Sequence, residues 1–351
     1  MPKKLLLALI LLGIIGLIAY FLYRAFTGPI YSPGDLTIKD KYRHVLEASS
    51  QSDRPNFFEL NDDISLHYFT QGEGEPALVI HGGPGIPYTK SWSGLDSLAD
   101  QYQFYYYDQR GCGKSSRPFD KFESSNFYQN MKALDENLGL PAQIGDIEQI
   151  RRKLRQEKIT LIGHSFGGFL ACLYAIEFPE HVKSLILVTP AEVLKIPSDS
   201  DGLYGIIEKN LPKESLPAYK AYLKQVFDFK NVFKKSEAEL VAQNKEFIKY
   251  YNLATNNSIG DVDPPLGGWV QNACFLSMGQ QHDYSKALSK IEVPVLVLYG
   301  KEDLIPLSSL DLYLEYLPQA SLKEIPNATH FPFEEQPELF GNIVAEFLES
   351  Q

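Results

Sequence analysis

The sequence predicts an α/β fold in which a mostly parallel sheet is covered by helices on both faces. Short apolar runs alternate with helical patterns along the chain, and several of these runs stop at a glycine or an aspartate. Strands that are buried on both faces are apolar throughout, as most of these runs are. The predicted strands are 64–69, 77–80, 102–107, 159–162, 185–188, 293–298 and 322–325.

The helical patterns lie between and after these strands. Residues 144–155 place Ile147, Ile150 and Leu154 on one side of an amphipathic helix, and 169–178 is apolar enough for a buried helix. From about 191 to 285 the alternation stops, and aromatic, charged and helical sequence predicts an inserted helical cap. The predicted domains are a membrane anchor (1–27), a linker (28–54), a core (55–190 and 286–351) and the cap (191–285).

The first residues predict the anchor. Lys3 and Lys4 precede an uncharged, apolar stretch at 5–23, which Arg24 closes. As a helix this stretch would be about 28 Å long, close to the thickness of the bilayer's hydrocarbon layer. It is longer than the apolar region of a typical signal peptide, so we expect an uncleaved transmembrane helix, with a cleaved signal as the alternative. The two lysines favour a cytoplasmic N-terminus and an extracytoplasmic or periplasmic main domain.

The composition excludes several classes of partner. The formal net charge of −11 and the lack of a basic stripe argue against nucleic acid. Three cysteines, Cys112, Cys172 and Cys274, are too few for a disulfide framework, and their spacing fits no metal motif. We therefore expect neither a metal nor a cofactor.

The strongest chemical signal is the segment Gly163-His164-Ser165-Phe166-Gly167-Gly168. It lies between a predicted strand and a predicted helix, which is the context of a nucleophile elbow. A serine at the tip of such a sharp turn needs small residues two positions away on either side, and Gly163 and Gly167 supply them. Ser165 is therefore the predicted nucleophile.

A second signal follows the predicted strand 77–80, where the sequence is His81-Gly82-Gly83-Pro84-Gly85. Acyl transfer creates an oxyanion that needs two N–H donors, and glycines let the backbone approach a substrate closely. We expect the N–H groups of Gly83 and Phe166 to be these donors. His81 and Gly82 are predicted to support the loop, because a histidine before the serine does not fit the order Ser, acid, His that is typical of such elbows.

The acid and the base are predicted after the cap. The predicted strand 293–298 is followed by Glu302 and Asp303, of which Asp303 is the first choice and Glu302 the alternative. His330, which follows the predicted strand 322–325, is the one histidine of seven that comes after the acid. It would accept the Ser165 proton while the carboxylate orients its imidazole. A glycosylation sequon at Asn327 would place a glycan beside this histidine, which favours a bacterial source.

Together these motifs resemble the proline iminopeptidase family of the α/β-hydrolase fold. The resemblance also includes Asp108-Gln109-Arg110-Gly111-Cys112-Gly113-Lys114-Ser115 and spans roughly 55–190 and 290–350. It implies that Asp108 and Arg110 pin their loop beside the oxyanion glycines. It also implies cap carboxylates that bind a substrate amine, but Gln271 lies where an acid is expected. Other cap acids, such as Glu208, Glu239 and Glu246, could take its place.

Three functions remain open from the sequence. The resemblance implies a serine aminopeptidase that releases an N-terminal residue, often proline, from short peptides. A carboxylesterase, lipase-like hydrolase or amidase acting on small apolar substrates is the alternative among enzymes, because fold and triad do not determine the substrate. The alternative of another class is an inactive binding module, whose function Ser165→Ala would leave intact.

Overall fold

The computed structural model describes residues 16–17, 27–47, 54–198, 200–255 and 266–351. The predicted transmembrane helix at 5–23 lies outside the described residues, except for Gly16 and Leu17. Among the helices that are described, none has the length and apolar character needed to cross a bilayer.

An eight-stranded sheet forms the centre of the molecule, in the order β1-β2-β4-β3-β5-β6-β9-β10. The pairs β1–β2 and β2–β4 are antiparallel and all the others are parallel, which confirms the predicted mostly parallel sheet. Its strands are β1 (Phe57–Glu59), β2 (Ser65–Gln71), β3 (Glu75–Ile80), β4 (Tyr102–Tyr107), β5 (Ile159–His164), β6 (Val182–Val188), β9 (Val295–Gly300) and β10 (Ala320–Ile325).

The burial of the strands explains why their sequences are apolar. In β3, Leu78 and Ile80 belong to the apolar core on one face of the sheet, while Ala77 and Val79 belong to the core on the other face. All four side chains are fully buried, so neither face offers a polar position. The strand predicted at 293–298 begins two residues later, after Pro294, and β1 was not predicted because three residues carry too little pattern.

Helices cover both faces of this sheet. The described helices outside the cap are α1 (Asp35–Ile38), α2 (Phe127–Leu138), α3 (Leu140–Lys153), α4 (Phe166–Glu177), α9 (Asp311–Tyr316), α10 (Pro332–Glu335) and α11 (Pro337–Glu349). The predicted helices at 144–155 and 169–178 correspond to α3 and α4, each of which begins three or four residues earlier than predicted. The α2 helix, which the sequence pattern did not reveal, packs against α3 and the cap helix α8.

The cap has its own apolar centre. Its helices are α5 (Gly202–Asn210), α6 (Leu216–Val226), α7 (Glu237–Thr255) and α8 (Trp269–Met278), and the short ribbon β7 (Lys195–Ile196) with β8 (His282–Asp283) joins the two ends of the cap. Ile207, Tyr219 and Tyr250 form part of one cluster, against which Leu304 and Phe331 of the core pack. The cap therefore rests on the loops that follow β9 and β10.

The segment predicted as a linker is packed where it is described. Tyr31 and Tyr42, within residues 28–47, are fully buried in the main core, so this part of 28–54 is a strap packed against the core and not a free spacer. The carboxylate of Glu177, at the end of α4, accepts hydrogen bonds from Tyr31 Oη (2.6 Å) and Gly34 N (2.7 Å). The sequence alone does not predict these hydrogen bonds, because their partners are far apart along the chain.

We predict that Glu177→Ala lowers the free energy of unfolding by about 3 kcal/mol, because several donors of the strap lose a charged acceptor in a buried position. Glu180→Ala, at an exposed position of the following turn, is the matched control and should change the free energy by less than about 0.5 kcal/mol. Urea unfolding followed by circular dichroism measures both values. Equal stability of the two variants would contradict the role of the strap.

Candidate active site

Ser165 occupies the turn between β5 and α4. Its φ of 53° and ψ of −121° are strained for a residue with a side chain, as a nucleophile elbow requires. From Ile159 to Phe178 it is the one residue that is not buried. The turn thus leaves Ser165 partly accessible to solvent, while the strand and helix on either side of it are buried.

Two glycines make this turn possible. A Cβ at Gly163 would lie 2.4 Å from the carbonyl oxygen of Gly167, and a Cβ at Gly167 would lie 2.1 Å from the carbonyl oxygen of Ile80. Neither position has room for a methyl group. The strand, the helix and the neighbouring strand β3 therefore approach each other through bare backbone.

The loop after β3 passes directly over the serine. A Cβ at Gly82 would lie 2.8 Å from Ser165 Cβ, and Gly83 has a φ of 111°, which favours glycine. Phe166 is the first residue of α4, so its N–H has no acceptor within the helix. Among the described residues, neither Gly83 N nor Phe166 N donates to a protein acceptor. Two N–H groups are thus available beside the hydroxyl.

The predicted acid and base are hydrogen-bonded to each other. Nδ1 of His330 lies 2.7 Å from Oδ2 of Asp303, and both side chains are almost fully buried. Because a carboxylate only accepts, Nδ1 carries the hydrogen and Nε2 is left to accept a proton. The alternative acid, Glu302, is exposed and does not pair with this imidazole.

The serine and the imidazole are brought to the same end of the sheet through main-chain contacts. His164, the residue before the nucleophile, has Nε2 2.8 Å from the carbonyl oxygen of His330, and Thr189 Oγ1 donates to the same oxygen at 3.3 Å. Ser165 Oγ and His330 make no direct hydrogen bond within the described residues. In structures without substrate, catalytic hydrogen bonds are often long and tighten only in the complex.

His164 is a positioning residue that the sequence pattern did not reveal. Since a carbonyl only accepts, its Nε2 donates to His330, and its Nδ1 accepts from Tyr88 Oη at 2.9 Å. Complete burial lowers the pKa of His164 well below its usual value, so the ring is neutral. A chain of two hydrogen bonds therefore fixes the backbone of the predicted base.

Asp108 and Arg110 both hold the loop at 108–115. Asp108 Oδ2 accepts from Lys114 N at 2.8 Å, so this carboxylate holds its own loop. Arg110 donates to Asp146 Oδ2 at 2.7 Å and to the carbonyl oxygen of Asn137 at 3.1 Å, so it ties the loop to α2 and α3. Within the described residues, neither side chain hydrogen-bonds to Gly82 or Gly83.

Gln109 joins the loop at 108–115 to the loop after β3. Its N–H donates to His81 Nε2 and its side-chain amide donates to the carbonyl oxygen of His81, both at 3.0 Å. His81 Nδ1 donates to the carbonyl oxygen of Gly82 at 3.0 Å, which fixes the tautomer. Burial lowers the pKa of His81 to about 4, so this imidazole is neutral and supports the loop.

The three cap acids that the sequence named, Glu208, Glu239 and Glu246, have partners within the cap. Lys220 Nζ lies 3.1 Å from Glu208 and Lys249 Nζ lies 3.1 Å from Glu246. Glu239 accepts from Ser236 N at 2.8 Å at the start of α7. These exposed carboxylates are thus engaged away from the predicted nucleophile.

Comparisons with known proteins agree with this architecture. A family model of the alpha/beta hydrolase fold matches residues 76–337. The chain is 28% identical over 294 residues to a proline iminopeptidase of Lactobacillus delbrueckii subsp. lactis, covering 79% of this chain and 90% of that relative.

Two solved structures show the same fold. An esterase from Exiguobacterium antarcticum gives a TM-score of 0.55 at 22% identity, covering 84% of this chain and 99% of that chain. A proline iminopeptidase from Mycobacterium smegmatis gives a TM-score of 0.54 at 19% identity, covering 82% and 96%. At these identities the likeness concerns the fold and not the substrate.

We predict that His164→Ala lowers kcat about tenfold with little change in KM, because the carbonyl of His330 loses a buried donor. His164→Gln, whose amide nitrogen can replace Nε2 as a donor, should retain most of the activity. Steady-state kinetics with 4-nitrophenyl acetate, together with melting temperatures, measure the effect. An equal loss in both variants would show that the donor is not the cause.

Proposed function

This chain belongs to the alpha/beta hydrolase fold family, and we propose from that premise that it is a serine hydrolase of the proline iminopeptidase type. The observation that carries the proposal is the 2.7 Å hydrogen bond between His330 and Asp303 at the same end of the sheet as the half-buried Ser165. Its substrates would be short peptides with a free N-terminal residue. No metal or cofactor enters the proposed chemistry.

In the proposed reaction, Ser165 Oγ attacks the carbonyl carbon of the scissile bond while His330 Nε2 takes the hydroxyl proton. Asp303 holds the ring in the right tautomer and stabilises the cation that forms. The carbonyl oxygen becomes negative and accepts hydrogen bonds from Gly83 N and Phe166 N. The N-terminal end of α4 adds a favourable electrostatic contribution.

The following steps release the amine first and the acyl group second. The protonated His330 gives its proton to the leaving amine, the bond to that nitrogen breaks, and Ser165 retains the acyl group as an ester. A water molecule then gives a proton to the same imidazole and attacks the ester carbonyl. The bond between the acyl carbon and Ser165 Oγ then breaks, and His330 returns its proton to Oγ, which releases the acid and restores the hydroxyl.

The similarity to proline iminopeptidases supports a peptide substrate with a free amine. An observation favours a second candidate, a carboxylesterase or amidase acting on small apolar substrates. The exposed cap acids are engaged elsewhere, and the ring of Tyr251 from α7 lies 6.3 Å from that of His330, so an aromatic surface covers the base. Such a surface suits a neutral acyl group as well.

We also propose that residues 5–23 anchor the enzyme in a membrane, with the catalytic domain on the extracytoplasmic side. The support is the apolar length of this stretch and the lysines before it. The strap at 28–47 would then attach the anchor firmly to the catalytic domain, since its buried tyrosines leave little free chain between them.

We predict that the enzyme hydrolyses L-proline 2-naphthylamide and that Ser165→Ala reduces kcat at least about 1000-fold, since the residual rate would come only from binding and the oxyanion donors. A panel of aminoacyl-naphthylamides and short-chain 4-nitrophenyl esters measures the preference. Hydrolysis of esters alone would contradict the peptidase proposal and favour the esterase. Undiminished hydrolysis in the Ser165→Ala variant would contradict both.

We predict that the full chain stays with the membrane fraction after a wash at high salt, whereas residues 27–351 are released, because the apolar stretch supplies the attachment. Cell fractionation followed by immunoblotting measures the distribution. The shorter chain begins at Thr27 so that the carbonyl which accepts from Gln280 N at 2.8 Å is kept. Release of the full chain by salt alone would argue against a spanning helix.

A further inference from the structure

The loop after β3 is held at Gly85 by hydrogen bonds on both main-chain groups of that residue. Gly85 N donates to Gln109 Oε1 at 3.4 Å, and the carbonyl oxygen of Gly85 accepts from Gly267 N at 2.8 Å. Gln109 belongs to the core, whereas Gly267 belongs to the cap. The predicted oxyanion donor, Gly83 N, lies two residues before this point. The loop that carries the donor is therefore fastened to the core on one side and to the cap on the other.

This loop lies directly against the nucleophile. A Cβ at Gly82 would lie 2.8 Å from Ser165 Cβ and 3.4 Å from Ser165 Oγ. Ile86 N donates to the carbonyl oxygen of Gly82 at 3.2 Å, which closes a tight turn. Because the turn is short, a displacement of Gly85 also moves the N–H of Gly83 relative to the hydroxyl. An oxyanion donor acts at about 2.7–3.1 Å from the developing charge, so small displacements weaken its contribution.

Gly267 lies between two loops of the core without room for a side chain. A Cβ at Gly267 would lie 2.8 Å from the carbonyl oxygen of Gly111 and 3.1 Å from Cys112 Cβ. A Cβ at Gly85 would lie 3.3 Å from Gly267 Cα. The cap thus meets both core loops here through its main chain. The hydrogen bond to Gly85 depends on Gly267 being held in this position.

The cap helix α7 holds this backbone with two side chains from one of its faces. Asn244 Nδ2 donates to the carbonyl oxygen of Gly267 at 2.6 Å. Glu237, about two turns earlier in the helix, accepts from Gly268 N at 3.0 Å and from Trp269 N at 2.7 Å. Both side chains are buried, so water does not compete for these bonds. Asn244 therefore fixes the residue that contacts the loop after β3, and Glu237 fixes the start of α8.

We infer that Asn244 is a positioning residue of the oxyanion site. By holding Gly267, it lets the cap fix the loop that presents the N–H of Gly83 to the developing charge. This inference rests on the proposed function and gives the cap a part in the chemical step of the same site. The sequence did not single out Asn244, because its connection to the loop after β3 arises only in the folded chain.

The test compares two esters that differ in one atom. In 4-nitrophenyl acetate the carbonyl oxygen becomes the oxyanion, whereas in O-4-nitrophenyl thionoacetate a sulfur atom takes its place. Sulfur is larger and accepts hydrogen bonds weakly, so the ratio of the kcat/KM values, oxygen ester to sulfur ester, reports the fit of the oxyanion donors. In Asn244→Ala, measured on the full chain in detergent, we expect this ratio to fall about tenfold, because a displaced donor stabilises the oxyanion less. The sulfur ester should lose much less.

Asn244→Asp is the second variant, because it keeps the size of the side chain while an ionised carboxylate only accepts hydrogen bonds. It should lower the ratio at least as much as Asn244→Ala. Gln243→Ala is the matched control, since this neighbouring amide on α7 accepts from Lys235 Nζ at 2.6 Å, within the cap. Its ratio should equal that of the wild type. An unchanged ratio in the Asn244 variants, or an equal loss of both esters, would overturn the inference, because a general loosening of the fold lowers both rates alike.

A measurement without substrate separates the inference from the proposed function. Hydrogen–deuterium exchange followed by mass spectrometry reports the amides of residues 82–88 in each variant. We expect exchange there to become about tenfold faster in Asn244→Ala, as for the loss of a buried hydrogen bond, and to stay unchanged in Gln243→Ala. Unchanged exchange in Asn244→Ala would overturn the inference whatever the turnover assays show. Hydrolysis of neither ester by the wild type would instead contradict the proposed function, while the exchange rates still decide whether Asn244 holds the loop.

Discussion

The close approach of bare backbone around Ser165 is the constraint on which the rest of the site depends. Added methyl groups at Gly163 and Gly167 would overlap main-chain atoms, and one at Gly82 would overlap the serine itself. Because these three positions lack side chains, the strand can turn into α4 within one residue and the loop after β3 can pass over the hydroxyl. The strained dihedral angles of Ser165 are tolerated because the buried β5 and α4 hold the turn on both sides.

Around this turn, buried neutral histidines hold the loops. His81 joins the loop after β3 to Gln109, and His164 joins the elbow to the carbonyl of His330. Burial lowers the pKa values of His81 and His164, so each ring has one donor and one acceptor and can bridge two defined partners. These imidazoles hold the loops of the site, while His330, proposed as the base, is bonded to the carboxylate of Asp303.

The cap and the strap are also held by contacts between residues that are far apart in the chain. The strap ends its described part against α3 and fastens to Glu177 of α4, while the cap closes over Leu304 and Phe331 beside the acid and the base. Segments distant in the chain thus meet at the ends of the central strands.

The sequence alone determined the α/β class, the parallel strands and the order of the candidate residues, since strand burial and the elbow turn depend on neighbours close in the chain. The strained turn needs Gly163 and Gly167, and β9 ends just before Asp303. The tertiary structure decided that Asp303 and not Glu302 pairs with His330, that Gln109 joins its loop to His81, and that His164 bonds to the carbonyl oxygen of His330. Each of these contacts joins atoms that are dozens of residues apart. Local pattern carries no information about such distances, because only packing of the whole chain fixes them.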